Sequence, residues 1–415
     1  MAALSPHPIR LVVTDDLRRS RLTVFFRFFL AIPHLIWIGL FAIGAIFVAF
    51  ISWWATLFAG RAPKGLHGFL AGFVRYVTQV EAYLFLAANP YPGFYVGDTA
   101  KTYPVDVEID PPAPQNRAVT FFRLFLALPS LLLSIAFSGG GPSYSGYGYR
   151  AGFGVAGSAA LLMWFASLVR GRAPRGLRDL ATWSIGYGAQ TAGYLFLLTD
   201  RYPTSDPLAH LGPASEEGEA ALPPMPARGV VRDDLRRSRL TVFFRLLLWV
   251  PHLVWLVLWT VLAVIVGIVN WLVALVIGQP PAPFARFLSA YVRYNVHQQA
   301  FLNLVGNPFP GFVGKPGSYP IDLEIGAAQK QRRLSIFFRL FLAVPAFIVS
   351  ASGGSLLFVA ALLGWFASLV RGRMPEGLRN SGAWALTYSG QLYAYAFLLS
   401  GSYPFSSPRA VSWQP

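Results

Sequence analysis

The polar pattern with the clearest potential for chemistry is a tyrosine, a glutamine and a second tyrosine at positions i, i+3 and i+7. In a helix this spacing places the three side chains on one face. The pattern occurs four times, and its third copy has a histidine and a phenylalanine in place of two members. Its members are Tyr76, Gln79 and Tyr83, then Tyr187, Gln190 and Tyr194, then Tyr294, His297 and Phe301, and finally Tyr388, Gln391 and Tyr395.

Two interpretations of this candidate polar face are open. Polar side chains at membrane depth require partners, so hydrogen bonds between helices explain the pattern. Alternatively, the four faces line a polar path or a headgroup site, and the neighbouring Arg75, Glu81 and Arg293 are functional if they lie inside a membrane. At the interface these arginines simply extend towards the headgroups. We favour hydrogen bonds between helices; a path predicts that the three charged residues and Gln79 line a closed cavity.

Arginines at the ends of apolar runs form a second group of candidates. Four of them follow a Phe-Phe pair, and others belong to a Gly-Arg-x-Pro turn. The simplest role for such side chains is contact with lipid phosphates at the membrane surface. The candidate headgroup contacts are Arg27, Arg61, Arg75, Arg123, Arg170, Arg172, Arg245, Arg293, Arg339, Arg371 and Arg373.

No pattern predicts catalysis, a cofactor or a metal centre. The sequence has no cysteine, and it contains no nucleophile–base set or phosphate-binding glycine motif. His34 and His252 follow prolines and are better explained as packed side chains than as metal ligands. Acids that alternate along two short strands are interpreted as solvated; they are Asp106, Glu108, Asp322 and Glu324. We therefore expect a protein that is not an enzyme.

The composition is typical of a membrane protein. Of the 415 residues 55% are hydrophobic and 13% are charged, and the mean hydropathy is +0.49; a soluble chain has about 25% charged residues. The net charge of +16 comes from arginines beside apolar runs, which favours anionic headgroups as partners. No nucleic-acid-binding motif accompanies the charge, so nucleic acid is not expected.

One unit is used four times. Leu22–Arg27 reads Leu-Thr-Val-Phe-Phe-Arg, and close variants of it begin three further apolar runs, each followed by a Gly-x-x-Pro turn. The stretch Asp15–Arg21 recurs residue for residue at Asp233–Arg239, so the four units form two pseudo-symmetric halves. The predicted units are residues 1–110, 111–203, 229–326 and 327–415, with a flexible linker rich in Pro, Ala and Glu at 204–228.

Each unit is expected to contain a short strand, a long apolar run and a less apolar third segment. Some 38 residues of helix would extend about 57 Å, whereas a hydrocarbon core is about 30 Å thick. A run such as 22–59 is therefore either an interfacial helix with one crossing or a hairpin of two helices. The Gly/Ser/Pro tract at 138–146 and the serines and glycines at 350–355 favour a hairpin with its apex there. Both basic ends would then face one side, as the positive-inside rule favours.

The repeated motifs resemble a bacterial membrane-domain family known only as a domain of unknown function, and common in actinobacteria. Trp164–Leu177 and Trp365–Leu378, with the sequence Trp-Phe-Ala-Ser-Leu-Val-Arg-Gly-Arg-x-Pro-x-Gly-Leu, carry the resemblance best. The third unit departs from it at 278–281, where both arginines of the turn are lost. The resemblance covers nearly the whole chain as tandem copies. It implies a membrane location, here a bacterial plasma membrane crossed several times, and supplies no activity or catalytic residue.

These observations predict an all-α integral membrane protein of four units, each a helical hairpin followed by an amphipathic helix, with short extramembrane strands at the unit starts. The function that we expect is engagement of anionic lipid headgroups, or of a partner protein, by a basic and aromatic cytoplasmic face. The alternative is a transporter or channel, because internal repeats often surround a midplane site.

Overall fold

The fold is that of a computed structural model, which describes residues 6–94, 103–139, 142–145, 148–151, 153–211, 225 and 227–414. The chain divides into unit 1, Met1–Ala214, and unit 2, Ser215–Pro415. Each unit holds two of the four sequence repeats and is mostly helical.

Unit 1 consists of two long apolar helical segments, two shorter helices beside them, and paired strands. Its helices are α1 (Arg21–Ala59), α2 (Lys64–Leu84), α3 (Arg117–Phe121), α4 (Arg123–Ser138), α5 (Gly154–Arg170) and α6 (Arg175–Leu195), and a 3₁₀ turn covers Pro207–Ala209. Its strands are β1 (Ile9–Val13), β2 (Val105–Ile109), β3 (Pro142–Ser145) and β4 (Gly148–Ala151).

Unit 2 repeats this order. Its helices are α7 (Arg239–Phe243), α8 (Arg245–Ile277), α9 (Ala282–Leu302), α10 (Arg333–Phe337), α11 (Arg339–Arg371) and α12 (Glu376–Ala396), followed by a 3₁₀ turn at Pro408–Ala410. Its strands are β5 (Ala227–Val231), β6 (Ile321–Ile325) and β7 (Val411–Trp413). The four helices α2, α6, α9 and α12, here called the third helices, have 21 residues each.

The predicted hairpin is wrong for three of the four repeats. Helix α1 runs through 39 residues without a break, and α8 and α11 each run through 33. The glycines expected at a hairpin apex remain helical: Gly39 faces open space, and Gly353 lets the Trp384 ring approach to 3.4 Å of the position that a Cβ atom would occupy. At Gly353 the absence of a side chain therefore allows α11 to pack closely against α12. The two basic ends of a repeat consequently lie at opposite ends of a helix roughly 50 Å long.

The second repeat keeps the same helix but interrupts it. Helices α4 and α5 have 16 and 17 residues, which together equal the 33 of α11. They adjoin, because a Cβ atom on Gly154 would touch the backbone of Gly139. Part of the predicted loop between them is an antiparallel hairpin of β3 and β4, with Pro142 opposite Ala151. The insert thus leaves the helix in two pieces that both pack along α6.

Each long helix ends at a glycine in the left-handed region. The φ angles of Gly60, Gly171, Gly278 and Gly372 are 71°, 67°, 88° and 67°, a conformation that other residues adopt at a cost. A proline three residues later begins each third helix. The Gly-x-x-Pro motif therefore forms the turn between each long helix and the third helix that follows it.

The two long helical segments of a unit are antiparallel and bonded at both ends. In unit 1 the indole of Trp53 donates to the carbonyl of Thr120 at 2.8 Å, and the indole of Trp164 donates to the carbonyl of Val24 at 3.0 Å. In unit 2 Trp271 donates to Ile336 and Trp365 donates to Val242, at 2.8 and 3.2 Å. A tryptophan near the end of each long segment is thus hydrogen-bonded to the start of the other long segment. The two repeats of a unit therefore depend on each other.

The predicted short strands are present, with β1 and β5 near the starts of the first and third predicted repeats and β2 and β6 at the ends of those repeats. Strands β1 and β2 pair antiparallel with Ile9 opposite Ile109, and β5 and β6 pair with Ala227 opposite Ile325. Strand β7 adds a parallel partner to β5. These small sheets pack on the third helices, which form the buried centre of each unit.

The predicted linker is partly folded. The 3₁₀ turn after Thr204 places the His210 ring against Gly186 of α6, and His210 Nε2 bonds to the carbonyl of Thr204 at 2.7 Å. The ring is buried, and burial lowers its pKa to about 4. Residues 204–211 therefore belong to the body of unit 1, whereas 212–224 and 226 lie outside the described residues.

The long helices bury only a narrow stripe of mostly small and polar side chains. In α1 the stripe consists of Val24, Arg27, Ala31, His34, Ala45, Ser52 and Thr56. The other faces carry large apolar side chains such as Phe47 and Phe58, which are 67% and 72% exposed. A continuous exposed apolar surface of this kind is unusual for a soluble protein. Helices α1, α8 and α11 are long and apolar enough to cross a membrane, which is consistent with a membrane protein.

Deleting residues 139–153 should join α4 to α5 without harming the fold. The join restores a 33-residue helix of the kind that α11 already forms, and the two ends already adjoin. We expect the purified variant to keep its helical circular dichroism and to melt within a few degrees of the parent protein. A matched deletion of 15 residues from within α11 should abolish cooperative melting. Loss of folding in the first variant would contradict the interpretation of the insert.

Candidate functional site

The first tyrosine of the polar face bonds to the long helix of its own repeat. In the first and third repeats the hydroxyls of Tyr76 and Tyr294 lie 2.7 and 2.9 Å from the Nδ1 atoms of His34 and His252. In the second repeat the hydroxyl of Tyr187 donates to a backbone carbonyl of α4 at 3.4 Å. The fourth tyrosine, at position 388, stacks on a tryptophan ring instead. All four side chains are buried.

The glutamine position fastens the strands to the third helices. Gln190 donates to the carbonyl of Ile9 at 3.0 Å, and Gln391 donates to the carbonyl of Ala227 at 3.1 Å. In each case the strand belongs to the other repeat of the unit. Gln79 donates to the Asp106 carboxylate at 3.0 Å. These amides are buried and bonded to the protein, so they act as connectors between elements.

Asp322 and His297 form the corresponding pair in the third repeat, with 2.7 Å between Nε2 and Oδ1. The carboxylate also accepts from the backbone N–H groups of Gly317 and Leu323, at 2.5 and 2.8 Å. Burial alone would raise the pKa of Asp322, but these hydrogen bonds outweigh it and lower that pKa. Sequence reasoning placed Asp322 and Asp106 in solvent; the structure buries both.

The neighbouring arginines of the third helices are bonded to the strands beside them. Arg75 forms an ion pair with Asp106, with its Nε atom 2.8 Å from a carboxylate oxygen. Arg293 donates from Nε to the carbonyl of Leu323 at 3.1 Å. Both side chains are half-buried and hold the strands β2 and β6. They are therefore not placed as free headgroup contacts, because each guanidinium already has a partner inside its unit.

The last residue of the polar face lies under a buried arginine. The guanidinium carbons of Arg27, Arg123, Arg245 and Arg339 lie 4.3, 4.6, 4.5 and 4.0 Å from the ring centroids of Tyr83, Tyr194, Phe301 and Tyr395. A cation over an aromatic face is stabilised, more so when both are removed from water. The third repeat keeps the contact with phenylalanine, which shows that the ring matters here and the hydroxyl does not.

Three of these arginines cap the C-terminal ends of their third helices, and Arg339 donates to the carbonyl of Ser400, just beyond the end of the fourth, at 3.4 Å. Arg27 donates from Nη1 to the carbonyls of Tyr83 and Ala88 at 2.5 and 2.8 Å. Arg123 binds the carbonyls of Tyr194 and Thr199 in the same way. The last carbonyls of a helix lack partners within it and carry partial negative charge, so a buried cation satisfies them.

This geometry corrects the expected headgroup role of those arginines. Only 1 to 2% of their surface is exposed, and their Nη atoms donate to groups inside the protein. The arginine stands at the inner stripe of its helix, whereas the preceding phenylalanines point outwards. The corrected residues are Arg27, Arg123, Arg245 and Arg339.

Each of these buried arginines, with the ring and the carbonyls that it contacts, is here called a clamp. Sequence reasoning missed a leucine with a strained backbone next to each clamp. Leu86, Leu197, Leu304 and Leu398 follow the third helices with φ angles of 59° to 65°, a region that costs a leucine about 1–2 kcal/mol. The carbonyl of Leu86 accepts two bonds from Arg19, which is paired with Asp15 in a fully buried ion pair. The recurrence of the Asp-Asp-Leu-Arg-Arg stretch was the available signal, but it indicated only the repeat and not the buried ion pair.

The two histidines are packed side chains, as the simpler interpretation held. His34 stacks on Phe94 with ring centroids 4.3 Å apart, and His252 stacks on Phe312 at 4.5 Å. Their Nε2 atoms lack a hydrogen-bond partner. Within the described part of the chain, no group of three or more His, Asp or Glu residues is placed to hold a metal ion.

Eight exposed arginines lie together in two groups of four, one group at one end of each unit. In unit 1 the backbones of Arg18 and Arg172 form a β-bridge, and Arg21 donates to the carbonyl of Val169, the residue before Arg170, at 3.0 Å. We call these four residues the unit-1 arginine cluster. The unit-2 arginine cluster has the same bridge and the same bond at 2.9 Å; it consists of Arg236, Arg239, Arg371 and Arg373. All eight side chains are exposed. Arg61 is exposed as well, at the other end of α1.

These features define a helical repeat protein whose long helices present apolar faces and whose buried polar residues connect the repeats. The chain belongs to the family described as domain of unknown function DUF4389. Its model matches residues 21–95, 150–205, 239–313 and 333–407, which confirms the tandem repeats. No curated protein and no solved structure matches the chain.

Replacing Arg27 with methionine should destabilise unit 1 strongly. The change keeps most of the stem volume but removes the guanidinium donor from the carbonyls of Tyr83 and Ala88, at a cost of about 2–4 kcal/mol. R27K should be intermediate, because an ammonium cannot fork or stack as a guanidinium does. The measurement is thermal unfolding in detergent, with R61M as the exposed control. Equal melting of R27M and R61M would contradict the clamp.

Replacing His297 with leucine should leave the Asp322 carboxylate with backbone partners alone. A buried charge that loses its side-chain partner costs about 2–3 kcal/mol. H297Q should recover at least half of the loss, because Gln79 makes the equivalent bond in the first repeat. The midpoint of chemical denaturation of the full chain reports both values. If the leucine and glutamine variants are equally stable, the hydrogen bond to Asp322 is not the source of the stabilisation.

Proposed function

We propose that this protein is an integral membrane protein whose two arginine clusters bind the phosphates of anionic lipid headgroups. The observation that carries the proposal is the gathering of four exposed arginines at a junction surrounded by exposed apolar side chains. Arginine suits this role because its planar donors match two phosphate oxygens at once.

The charge of each cluster is largely uncompensated. In unit 1 the ion pair of Arg18 with Asp16 is long, 3.8 Å, and both side chains are well exposed. Exposed pairs of this kind contribute little. Asp15 is already used by the buried Arg19. The four arginines of the unit-1 cluster and the nearby Asp16 together give about three net positive charges. Near a membrane surface each such charge contributes about 1 kcal/mol of attraction.

The surroundings of the cluster suit the depth of the headgroups. Leu22 and Val169, which flank Arg21 and Arg170, are 72% and 76% exposed. Their counterparts in unit 2, Leu240 and Val370, are 70% and 74% exposed. Apolar side chains that alternate with arginines meet both the acyl chains and the phosphates, whereas a purely aqueous surface would leave them unpartnered.

The continuous long helices change the form of the expected surface. Because a repeat starts and ends at opposite ends of a long helix, basic groups occur at both ends of a unit. Arg61 and Arg117 lie at the end of unit 1 that is remote from its cluster, and Arg333 lies at the matching end of unit 2. The proposal therefore rests on the clusters and not on a single basic side of the protein.

Removing three charges from one cluster should weaken binding of phosphatidylglycerol about 100-fold, from about 1 kcal/mol for each charge. The variant is R18Q/R170Q/R172Q, which spares Arg21 because its bond to Val169 supports the fold. Binding is measured as exchange of phosphatidylglycerol into phosphatidylcholine nanodiscs that contain the protein, at low and high salt. The control, R228Q/K315Q/K330Q, removes the same charge from exposed residues outside the clusters. Equal loss in both variants would refute a specific site.

A further inference from the structure

A cavity of about 230 Å³ lies inside unit 1, between α2, α4, α5 and α6. Its lining includes the apolar residues Leu131, Phe137 and Ile185 and the polar residues Ser134, Thr191 and Glu81. Ligand pockets for drug-sized molecules start at about 300 Å³. The cavity therefore suits a smaller molecule that has both an apolar and a polar part.

The carboxylate of Glu81 has no hydrogen-bond or ion-pair partner among the described residues. The residue is half-buried and borders the cavity. Burial raises the pKa of this carboxyl to about 7. An isolated carboxylate in such a place is costly to ionise. A cation bound in the cavity would supply the missing opposite charge and would stabilise the ionised carboxylate.

The hydroxyls of the wall are acceptors. Ser134 donates its proton to Thr191 at 3.3 Å, Ser138 donates to the carbonyl of Ser134 at 2.8 Å, and Ser184 donates to the carbonyl of Leu180 at 2.9 Å. With their protons directed into the protein, the serine oxygens offer lone pairs to the cavity. A negative charge together with several acceptors selects a ligand that donates hydrogen bonds and carries positive charge.

Unit 2 does not preserve the chemistry of this cavity. The third helices α2 and α9 align without gaps, and so do α6 and α12, because each has 21 residues. Glu81 then corresponds to Gln299, and Ala192, which lines the cavity, corresponds to Tyr393. A tyrosine ring at the position of Ala192 would occupy the space. Unit 2 thus carries an uncharged residue and a bulkier residue at these two positions.

We propose that the cavity of unit 1 binds a small amine, with the ammonium group paired with Glu81 and a short apolar body against Leu131 and Phe137. The serine hydroxyls accept the remaining N–H bonds. This inference is independent of the phosphate sites proposed above, because it concerns the opposite charge and a different part of the unit. The ammonium can come from a free amine or from the ethanolamine headgroup of a lipid.

The test is calorimetric titration of the full chain in phosphatidylcholine nanodiscs with benzylamine, at about pH 8, where the carboxylate and the amine are both charged. Benzyl alcohol is the uncharged probe of the same shape. We expect benzylamine to bind with one site per chain and benzyl alcohol to bind at least tenfold more weakly. Comparable binding of the two probes would overturn the proposal.

Three variants locate the site. E81Q should weaken benzylamine binding at least tenfold, and A192Y should abolish it; both substitutions introduce the residue that unit 2 carries at the same position. E324Q removes an exposed acid and should leave the affinity unchanged. Thermal unfolding of each variant shows that the chain is folded. Unchanged affinity in E81Q, with the chain folded, would overturn the assignment.

A second titration identifies the source of the ammonium. Nanodiscs that contain phosphatidylethanolamine should weaken benzylamine binding if the lipid headgroup occupies the cavity, and should leave it unchanged if only free amines enter. Either result supports the site when E81Q removes the binding. Because E81Q leaves the arginine clusters intact, failure of amine binding together with normal phosphatidylglycerol binding would reject this proposal alone.

Discussion

A buried guanidinium at the end of each third helix is the interaction on which the rest of this structure depends. Arg27 and its three counterparts join the start of a long helix to carbonyls at or just beyond the end of the helix beside it. The long helices gain little else from the interior, since they bury only a narrow stripe. Because the clamp also lies over an aromatic ring, a single side chain fixes the distance, the direction and the rotation of two helices.

The residues beside the clamps differ between repeats, although the backbone shape is the same. Odd repeats add a buried Asp–Arg pair, Asp15 with Arg19 in the first and Asp233 with Arg237 in the third. In the second repeat a glutamine binds the corresponding carbonyl, since Gln115 donates to Leu197 at 2.6 Å. The same backbone geometry is thus reached with a charged partner in the odd repeats and a neutral partner in the even repeats.

The sequence predicted the four repeats, their pairing, the short strands and the helical third segments, because periodic patterns and repeated motifs carry that information directly. It did not predict the continuous long helices, since Gly39 and Gly353 permit either a turn or a close contact, and only the packing against them decides. The polar face was identified, but its partners were not. Gln190 and Ile9 meet across 181 residues, and nothing local in either stretch indicates the other. The arginine that follows each phenylalanine pair was predicted to contact lipid headgroups, whereas the structure buries it.

The exchange of strands between repeats has a consequence for how the chain is made. Strand β1 is synthesised first, but its carbonyl at Ile9 is bonded by α6, which emerges only after nearly the whole of unit 1. Long-range contacts of this kind form late and leave an unpaired edge waiting in the meantime. The first repeat therefore cannot complete its tertiary contacts alone during translation, and the smallest stretch of nascent chain that can close on itself is a pair of repeats.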